Sequence, residues 1–461
     1  MAGCPVMGGG AAYVPGMMSV LHAPHGVAAA GARQPLEAPP PPRRADPVGG
    51  ALVRGGAGVE PHVDAALSVL PAVSERSSAS IRSAREPLYY GDYLQLDKLT
   101  TAQAPVSARC GDLQHDEMLF ITIHQTYEIW FKQVLYELDS VRAIFTDLKI
   151  GANEIATALH RLQRIVEILK ILVDQIRVLE TMTPQQFLNF RDYLFPASGF
   201  QSYQFRLIEI KLGVQRDAVQ QERFMSALSA EHRALVEAAL QEPSLFDYVE
   251  RWLRNMPFRE FRGYNFMESY KITTNRMLEL DRTAIEAQFF GKECESMITE
   301  LQKNERMFRS VYDREVHEEL RAQGLRRFGF RATCSALFIM LYEEEPMLHL
   351  PARLLRSLID IDDAVNQWRY RHTQMVHKMI GTKVGTGGSL GFSYLRSTVD
   401  NLKVFTDLSN MSTLLIPSRL LPSLPAMIRD QCKFFHSVEP YDRTLFELGG
   451  GGDTLLDWSF C

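Results

Sequence analysis

Residues 165–179 read IVEILKILVDQIRVL, and this stretch decides the fold class. Its apolar side chains recur at steps of three and four residues, which places them on one face of an α-helix. The members of this face are Ile165, Ile168, Leu169, Leu172, Ile176 and Leu179. We therefore predict an amphipathic helix that buries one face against other helices.

The sequence on either side extends the helical pattern. We predict a second long helix from about residue 116 to 145 and a third from about residue 361 to 380, whereas the alternation typical of strands is nearly absent. Residues 214–330 are also helical but more charged, and they are predicted as a possible smaller helical subdomain. The predicted fold class is all-α, with a helical-bundle catalytic domain over residues 86–448.

Composition and charge exclude several classes of protein. The chain has 461 residues, 46% hydrophobic and 23% charged, with a formal net charge of -5, so nucleic acid is not an expected partner. No apolar run has the roughly 18 residues that a membrane helix needs, so no membrane association is expected. Six cysteines are scattered without a CxxC pair: Cys4, Cys110, Cys294, Cys334, Cys432 and Cys461. Scattered thiols fit a reducing compartment, and we expect a cytoplasmic protein.

Both ends of the chain differ from its middle. Residues 1–85 hold 11 of the 23 prolines and 12 of the 30 glycines, too few apolar side chains for a core, and are predicted as a disordered extension. A secretory signal would need a compact apolar stretch, and a transit peptide would be rich in arginine, yet the first arginine is Arg33. Residues 449–461 are predicted as a flexible C-terminal tail.

A histidine interrupts the apolar face of the second predicted helix. The face consists of Phe120, His124, Tyr127, Phe131, Val134 and Leu138, which follow one another at steps of three and four residues. His124 is either a core histidine bonded to a nearby carbonyl or a polar group that faces a dry pocket. The spacing alone leaves both interpretations open.

The third predicted helix repeats this arrangement. Val365, Trp368, His372, Met375 and Met379 share one face, whereas His377 lies five residues beyond His372 and is expected to point to solvent. Two inward histidines on separate helices suit a site between helices, and an imidazole without cysteine partners suits a haem iron. They are equally compatible with two core histidines that never meet.

Three other motifs carry weaker signals. The glycines of residues 385–391 follow a predicted helix rather than a strand and do not have GxGxxG spacing, so a dinucleotide-binding loop is rejected. Residues 115–117 read HDE, but the PCxxC of zinc deaminases is absent, and these residues are expected to begin a helix. Arg191 becomes a functional candidate only if a ligand carboxylate needs a bidentate partner.

Several segments together resemble the tryptophan 2,3-dioxygenase family. The resemblance extends from Tyr90 to about Pro417, and its motifs occur in the family's order. They are YGDYL at 90–94, HDE at 115–117, HQTYEIWFKQ at 124–133, FRDYL at 190–194, PASGFQS at 196–202, WRYRH at 368–372 and GTGGS at 385–389. Each motif is short, but their joint occurrence is highly specific.

This resemblance implies an all-α haem dioxygenase, an oxidoreductase of tryptophan catabolism. It would insert O2 across the indole C2–C3 bond of L-tryptophan to give N-formyl-L-kynurenine, the first step of the kynurenine pathway. His372 would be the proximal ligand of the iron of haem b, with one haem per subunit. His124 would lie near the indole N–H as the distal, catalytic histidine, where it orients the substrate; removal of that proton is a weaker hypothesis, because indole is a very poor acid.

The resemblance also implies a substrate-binding set. Phe120 would shape the pocket and Ser198 would line it. Arg191 would pair with the substrate carboxylate, and Thr386 would contact the amino-acid end of the substrate. The chain would form a homotetramer, a dimer of dimers, in which Tyr90 and Tyr93 reach the site of a neighbouring subunit.

A few positions depart from the family pattern, and other functions compete with this one. Asp92 stands where asparagine is common, Arg371 precedes the proximal histidine, and Leu390 replaces a second serine, although none is a proposed contact residue.

A haem sensor would share the iron ligand but would lack organised substrate contacts. A helical scaffold would use both histidines for packing, and a non-haem iron enzyme would need two histidines with a carboxylate.

Overall fold

The computed structural model describes residues 88–256, 260–261, 264–385, 395–396, 402–426 and 429. The predicted disordered extension over residues 1–85 and the C-terminal tail over residues 449–461 lie outside the described residues. The predicted substrate contact Thr386 also lies outside them. The boundaries predicted for the catalytic domain and for a smaller subdomain remain predictions.

Helices dominate the described part of the chain, as the apolar periodicity predicts, and we number them α1 to α16 in chain order. Their bounds are α1 Tyr90–Leu94, α2 Leu96–Thr100, α3 Val106–Arg109, α4 His115–Ile144, α5 Ala152–Leu179, α6 Pro184–Arg191, α7 Tyr203–Leu212, α8 Ala218–Met225, α9 Ala230–Leu240, α10 Leu245–Arg254, α11 Phe266–Gln288, α12 Gly291–Arg309, α13 Arg314–Ala322, α14 Phe330–Leu341, α15 Pro346–Ile380 and α16 Thr406–Ser409. Within the described ranges, four short 3-10 helices span Asp192–Leu194, Gly199–Gln201, Asn410–Leu414 and Ser418–Leu420. Two two-residue strands, Glu260–Phe261 and Tyr264–Asn265, pair antiparallel.

The core forms where α4, α5 and α15 pack side by side. All six residues of the face predicted between 165 and 179 are buried in α5, together with others on the same side such as Ile155 and Leu162. Each fully buried aliphatic side chain contributes about 1.5–3 kcal/mol relative to an exposed one, so this face holds the three long helices together. The apolar periodicity of α5 is therefore the cause of its position in the bundle.

The three predicted long helices are present, but one begins earlier than its pattern indicated. Helix α4 covers His115–Ile144, within one residue of the prediction, because the acidic Asp116 and Glu117 begin it as expected. Helix α15 begins at Pro346 rather than near residue 361. Pro346 occupies the first turn, where a missing N–H is tolerated, and the helix continues through Pro351, although proline usually ends or kinks a helix.

A small group of helices flanks α7. Phe224, Met225, Leu228 and Val236 of the α8–α9 region form a separate apolar cluster, against which side chains of α7 pack. Helix α7 thus has one side on α4 and another on α8 and α9, and this position matters for the charged residues it carries. Within the described residues, no helix is both long enough and apolar enough to cross a membrane.

Candidate active site

A cavity of about 300 Å³ lies between α4, α5, α6, α7 and α15. Its wall is mainly apolar, and many of its side chains are aromatic. The aromatic rings are those of Phe120, Tyr127, Phe131, Phe187, Phe200, Phe205 and Trp368. A concave, apolar cavity with a few polar groups is typical of a small-molecule site, so the polar groups decide its chemistry.

His124 lines this cavity from α4. Its Nδ1 lies 2.7 Å from the carbonyl oxygen of Phe120, which can only accept, so Nδ1 carries the proton and Nε2 keeps a lone pair. The two rings also lie 4.1 Å apart between centroids. Burial lowers the pKa of His124, against the raising effects of the Phe120 hydrogen bond and of the Glu128 charge. His124 is therefore a neutral hydrogen-bond acceptor on the cavity wall at neutral pH.

His372 lines the same cavity from α15. Its ring stacks on Trp368, with centroids 5.1 Å apart and planes 6° from parallel. Burial, followed by the charge of His124, lowers the pKa of His372 to about 4, so the ring is neutral at neutral pH. Among the described residues, no hydrogen-bond partner satisfies its ring nitrogens. The alternative of two core histidines that never meet is therefore wrong, because both line one cavity.

His377 does not share this environment. It is exposed on the outer side of α15, as its five-residue separation from His372 predicts. Within the described residues, no group of three His, Cys, Asp or Glu side chains is arranged to hold a metal ion. The cavity wall thus presents two neutral imidazoles, those of His124 and His372, each from its own helix.

Arg191 reaches the cavity from the last residue of α6. The start of α6 is fixed by a capping box between Thr183 and Gln186, with Pro184 at the first helical position. The Arg191 guanidinium donates to the carbonyl oxygen of Val384, which precedes Gly385, another residue of the cavity wall. A single backbone carbonyl uses only part of the guanidinium, so donors remain for an anionic ligand.

The remaining predicted residues divide into two groups. Phe120 and Ser198 line the cavity, and the Ser198 hydroxyl accepts from the Phe200 N–H, 3.3 Å away, where it caps a 3-10 helix. Tyr90 and Tyr93 do not line this cavity; they lie on α1 and are 74% and 70% exposed. Their role at the site of a neighbouring subunit stays a prediction.

Sequence reasoning missed a charged cluster at the α7 side of the cavity. It consists of Arg206 and Glu209 on α7, Arg216 in the following loop and Arg369 on α15, and all four line the cavity. Burial alone would raise the pKa of Glu209, but the charges of the three arginines outweigh it and lower the pKa to about 2. The i,i+3 spacing of Arg206 and Glu209 on an apolar helix was the available sequence signal.

The comparisons with known proteins fit this geometry. The family model described as tryptophan 2,3-dioxygenase matches residues 75–415. The chain belongs to the tryptophan 2,3-dioxygenase family. Its membership confirms the resemblance drawn from the motifs, because the matched residues include α4, α6 and α15, which carry the cavity histidines and Arg191.

Curated relatives of the family come from bacteria and eukaryotes. Tryptophan 2,3-dioxygenase of Alteromonas mediterranea is 44% identical over 355 residues, which cover 76% of this chain and 98% of the relative. The Dictyostelium discoideum protein of that name is 42% identical over 379 residues, which cover 81% of this chain and 95% of the relative. The Xenopus laevis protein is 44% identical over 370 residues, which cover 79% of this chain and 90% of the relative. The chain therefore spans nearly the whole length of these relatives.

Proposed function

We propose that this chain is a tryptophan 2,3-dioxygenase that inserts O2 across the indole C2–C3 bond of L-tryptophan. The product would be N-formyl-L-kynurenine, which contains all atoms of both substrates, in the first step of the kynurenine pathway. The observation that carries the proposal is that His124 and His372, from two different helices, line one apolar cavity together with Arg191. Membership of the tryptophan 2,3-dioxygenase family supports L-tryptophan as the substrate and dioxygenation as the reaction.

The proposed prosthetic group is haem b, one per subunit, held through its iron by His372. Three properties of His372 support this role: its ring is neutral, it lines a cavity, and it has no hydrogen-bond partner among the described residues. The flat stacking on Trp368 fixes the ring orientation. When bound, the haem supplies the oxygen chemistry, which amino-acid side chains cannot perform.

The protein contributes the position of the substrate. The His124 Nε2 lone pair accepts the indole N–H and thereby orients the ring, because Nδ1 is already committed to the Phe120 carbonyl. Arg191 donates two parallel hydrogen bonds to the substrate carboxylate, and Thr386 contacts the amino-acid end of the substrate. Phe120 excludes water from the reacting atoms, and Ser198 lines the pocket. His124 acts by orientation, since a neutral imidazole is far too weak a base for indole.

We further propose a homotetramer, a dimer of dimers, in the cytoplasm. Support for assembly comes from α1, where Tyr90 and Tyr93 are exposed and no residue of the helix is buried. Exposed aromatic rings at a chain segment with no core of its own fit an interface with a second copy, whose cavity they would complete. The cytoplasm is supported by the reduced thiols of Cys110 and Cys294.

Isotopically labelled dioxygen tests the reaction class. The purified chain, loaded with haem and reduced, is supplied with L-tryptophan and labelled O2, and the product is analysed by mass spectrometry. A dioxygenase places both labelled atoms in N-formyl-L-kynurenine. A product with one labelled atom, or unchanged tryptophan beside a normal haem spectrum, would contradict the proposal and favour a monooxygenase or a haem sensor.

A further inference from the structure

The cluster of Arg206, Glu209, Arg216 and Arg369 is organised around its single carboxylate. Glu209 Oε2 accepts from Arg206 Nη1 at 2.6 Å, while Oε1 accepts from Arg216 Nη2 at 2.7 Å and from Arg369 Nη2 at 2.8 Å. The four side chains are between 4% and 10% exposed. The three arginines come from separate segments, so Glu209 is the residue that brings them together.

The cluster has more positive charge and more donors than its partners consume. Three arginines and one carboxylate leave a formal excess of two positive charges. Arg206 Nε and Arg216 Nη1 are buried and have no hydrogen-bond partner in the described part of the chain. Aromatic rings partly compensate, since Arg206 lies 5.4 Å from the centroids of Phe205 and Phe224. Buried guanidinium groups without matching anions are costly, so the excess indicates an anionic ligand.

The position of the cluster defines what kind of anion it would receive. It lies on the wall of the cavity that His372 lines, and Arg369 is three residues before His372 on α15. Arg191 lies on a different helix and serves the substrate carboxylate in the proposed function. The other carboxylate on the wall, Glu128, is bonded to Gln204 at 2.9 Å. An excess of two charges matches a ligand with two carboxylates.

We propose that Glu209 is a positioning residue, which arrays Arg206, Arg216 and Arg369 into a cationic wall that receives the paired carboxylates of the prosthetic group. This inference rests on the proposed function, because haem b is the group with two propionate carboxylates. Glu209 does not contact the ligand; it acts through the arginines. It also anchors Arg369, whose Nη1 donates to the Leu402 carbonyl at 2.9 Å, and so fixes the turn of α15 before His372.

The test compares two ligands that differ only in their carboxylates. The full chain, produced under haem limitation, is reconstituted with haem or with haem dimethyl ester, in which both carboxylates are uncharged. Transfer of each ligand to a scavenging apoprotein gives its dissociation rate. The ratio of the two rates measures how strongly the wall discriminates the dicarboxylate from the diester.

Whether Glu209→Gln raises or lowers the ratio of the two dissociation rates distinguishes two roles of Glu209: holding the arginines in position, or only contributing its negative charge. The wild type should hold haem roughly 10- to 100-fold better than the diester, as expected for charge-assisted hydrogen bonds. The amide introduced by Glu209→Gln would leave the wall more positive, so a merely electrostatic role predicts stronger discrimination. A positioning role predicts a ratio several-fold smaller, because the arginines separate, with part of the ratio restored in Glu209→Asp. An unchanged or larger ratio in Glu209→Gln would overturn the inference.

Two variants keep the result interpretable. Glu137→Gln is the matched control, since Glu137 is also buried, pairs with Arg164 at 2.6 Å and does not line the cavity; its ratio should equal that of the wild type. If Glu209→Gln does not fold, Glu209→Asp replaces it: the shorter side chain keeps the charge but withdraws the carboxylate from the arginines, so a positioning role predicts a lower ratio and charge alone predicts an unchanged one. A wild type that binds both ligands equally refutes this inference alone. A wild type that binds neither refutes the proposed function with it.

Discussion

Replacing Arg191 by alanine tests whether its guanidinium binds the carboxylate of an amino-acid substrate. The guanidinium already donates to the Val384 carbonyl, and it is half-buried beside Phe187 on the cavity wall. A substrate carboxylate would therefore meet an arginine whose position is set before binding. Alanine removes both the charge and the paired donors, while the fold of α6 rests on its Thr183 cap at the other end.

The size of the effect follows from the hydrogen bonds exchanged. Two charge-assisted bonds contribute about 1.5–3 kcal/mol each, which is about 3–6 kcal/mol together, and the Val384 carbonyl occupies a separate part of the guanidinium. Partial exposure of Arg191 screens the interaction, which leaves about 2–4 kcal/mol. At about 1.36 kcal/mol per factor of ten, kcat/KM for L-tryptophan should fall about 30- to 900-fold.

The assay is a four-way comparison of L-tryptophan and tryptamine with the wild type and Arg191→Ala. Tryptamine lacks the carboxylate, so it should be a poor substrate that loses much less from the substitution. Lysine at position 191 should restore only part of the activity, because a point charge cannot form the fork. Arg177→Ala is the control, since Arg177 lies on the surface and is 71% exposed. Equal losses for both substrates would refute the carboxylate role of Arg191.

Three other predictions concern the histidines and α1. His372→Ala should abolish stable haem binding, whereas the exposed His377→Ala should not; the absorption spectrum of each purified variant decides, and the reverse pattern contradicts the assignment. His124→Phe should lower kcat/KM for L-tryptophan about 3- to 10-fold, the effect of one neutral hydrogen bond. It should lower kcat/KM for 1-methyltryptophan less, because that compound has no indole N–H; equal losses for both substrates would show that His124 does not contact the indole N–H. Truncation of residues 1–80 should preserve activity and assembly, whereas truncation through Tyr93 should damage both; sedimentation and turnover measure this, and a monomeric, inactive product of the shorter truncation would contradict it.

The sequence contains enough information for the elements that carry the histidines. The steps of three and four residues on α4 predict that Phe120 and His124 share a face, and both line the cavity. Helical periodicity is a local property, so one sequence suffices to recognise it. Periodicity did not show that His124 and His372 meet, because that depends on how α4 and α15 pack.

The charged wall could not be predicted for the same reason. Glu209 and Arg369 are 160 residues apart in the chain, and nothing local links them. The start of α15 was also missed: proline usually ends a helix, whereas α15 continues through the buried Pro351. The sequence also does not show that Arg191 lines the cavity and donates to a carbonyl 193 residues away, because both observations require the three-dimensional structure.

One anaerobic absorption experiment on the reduced, full-length chain tests both the iron site at His372 and the oxidation of L-tryptophan. We expect a Soret band that depends on His372, a spectral change when L-tryptophan is added, and formation of N-formyl-L-kynurenine when oxygen is admitted. A protein without a Soret band after reconstitution with haem would contradict the iron site. A normal haem spectrum with tryptophan left unchanged after oxygen is admitted would contradict the proposed reaction.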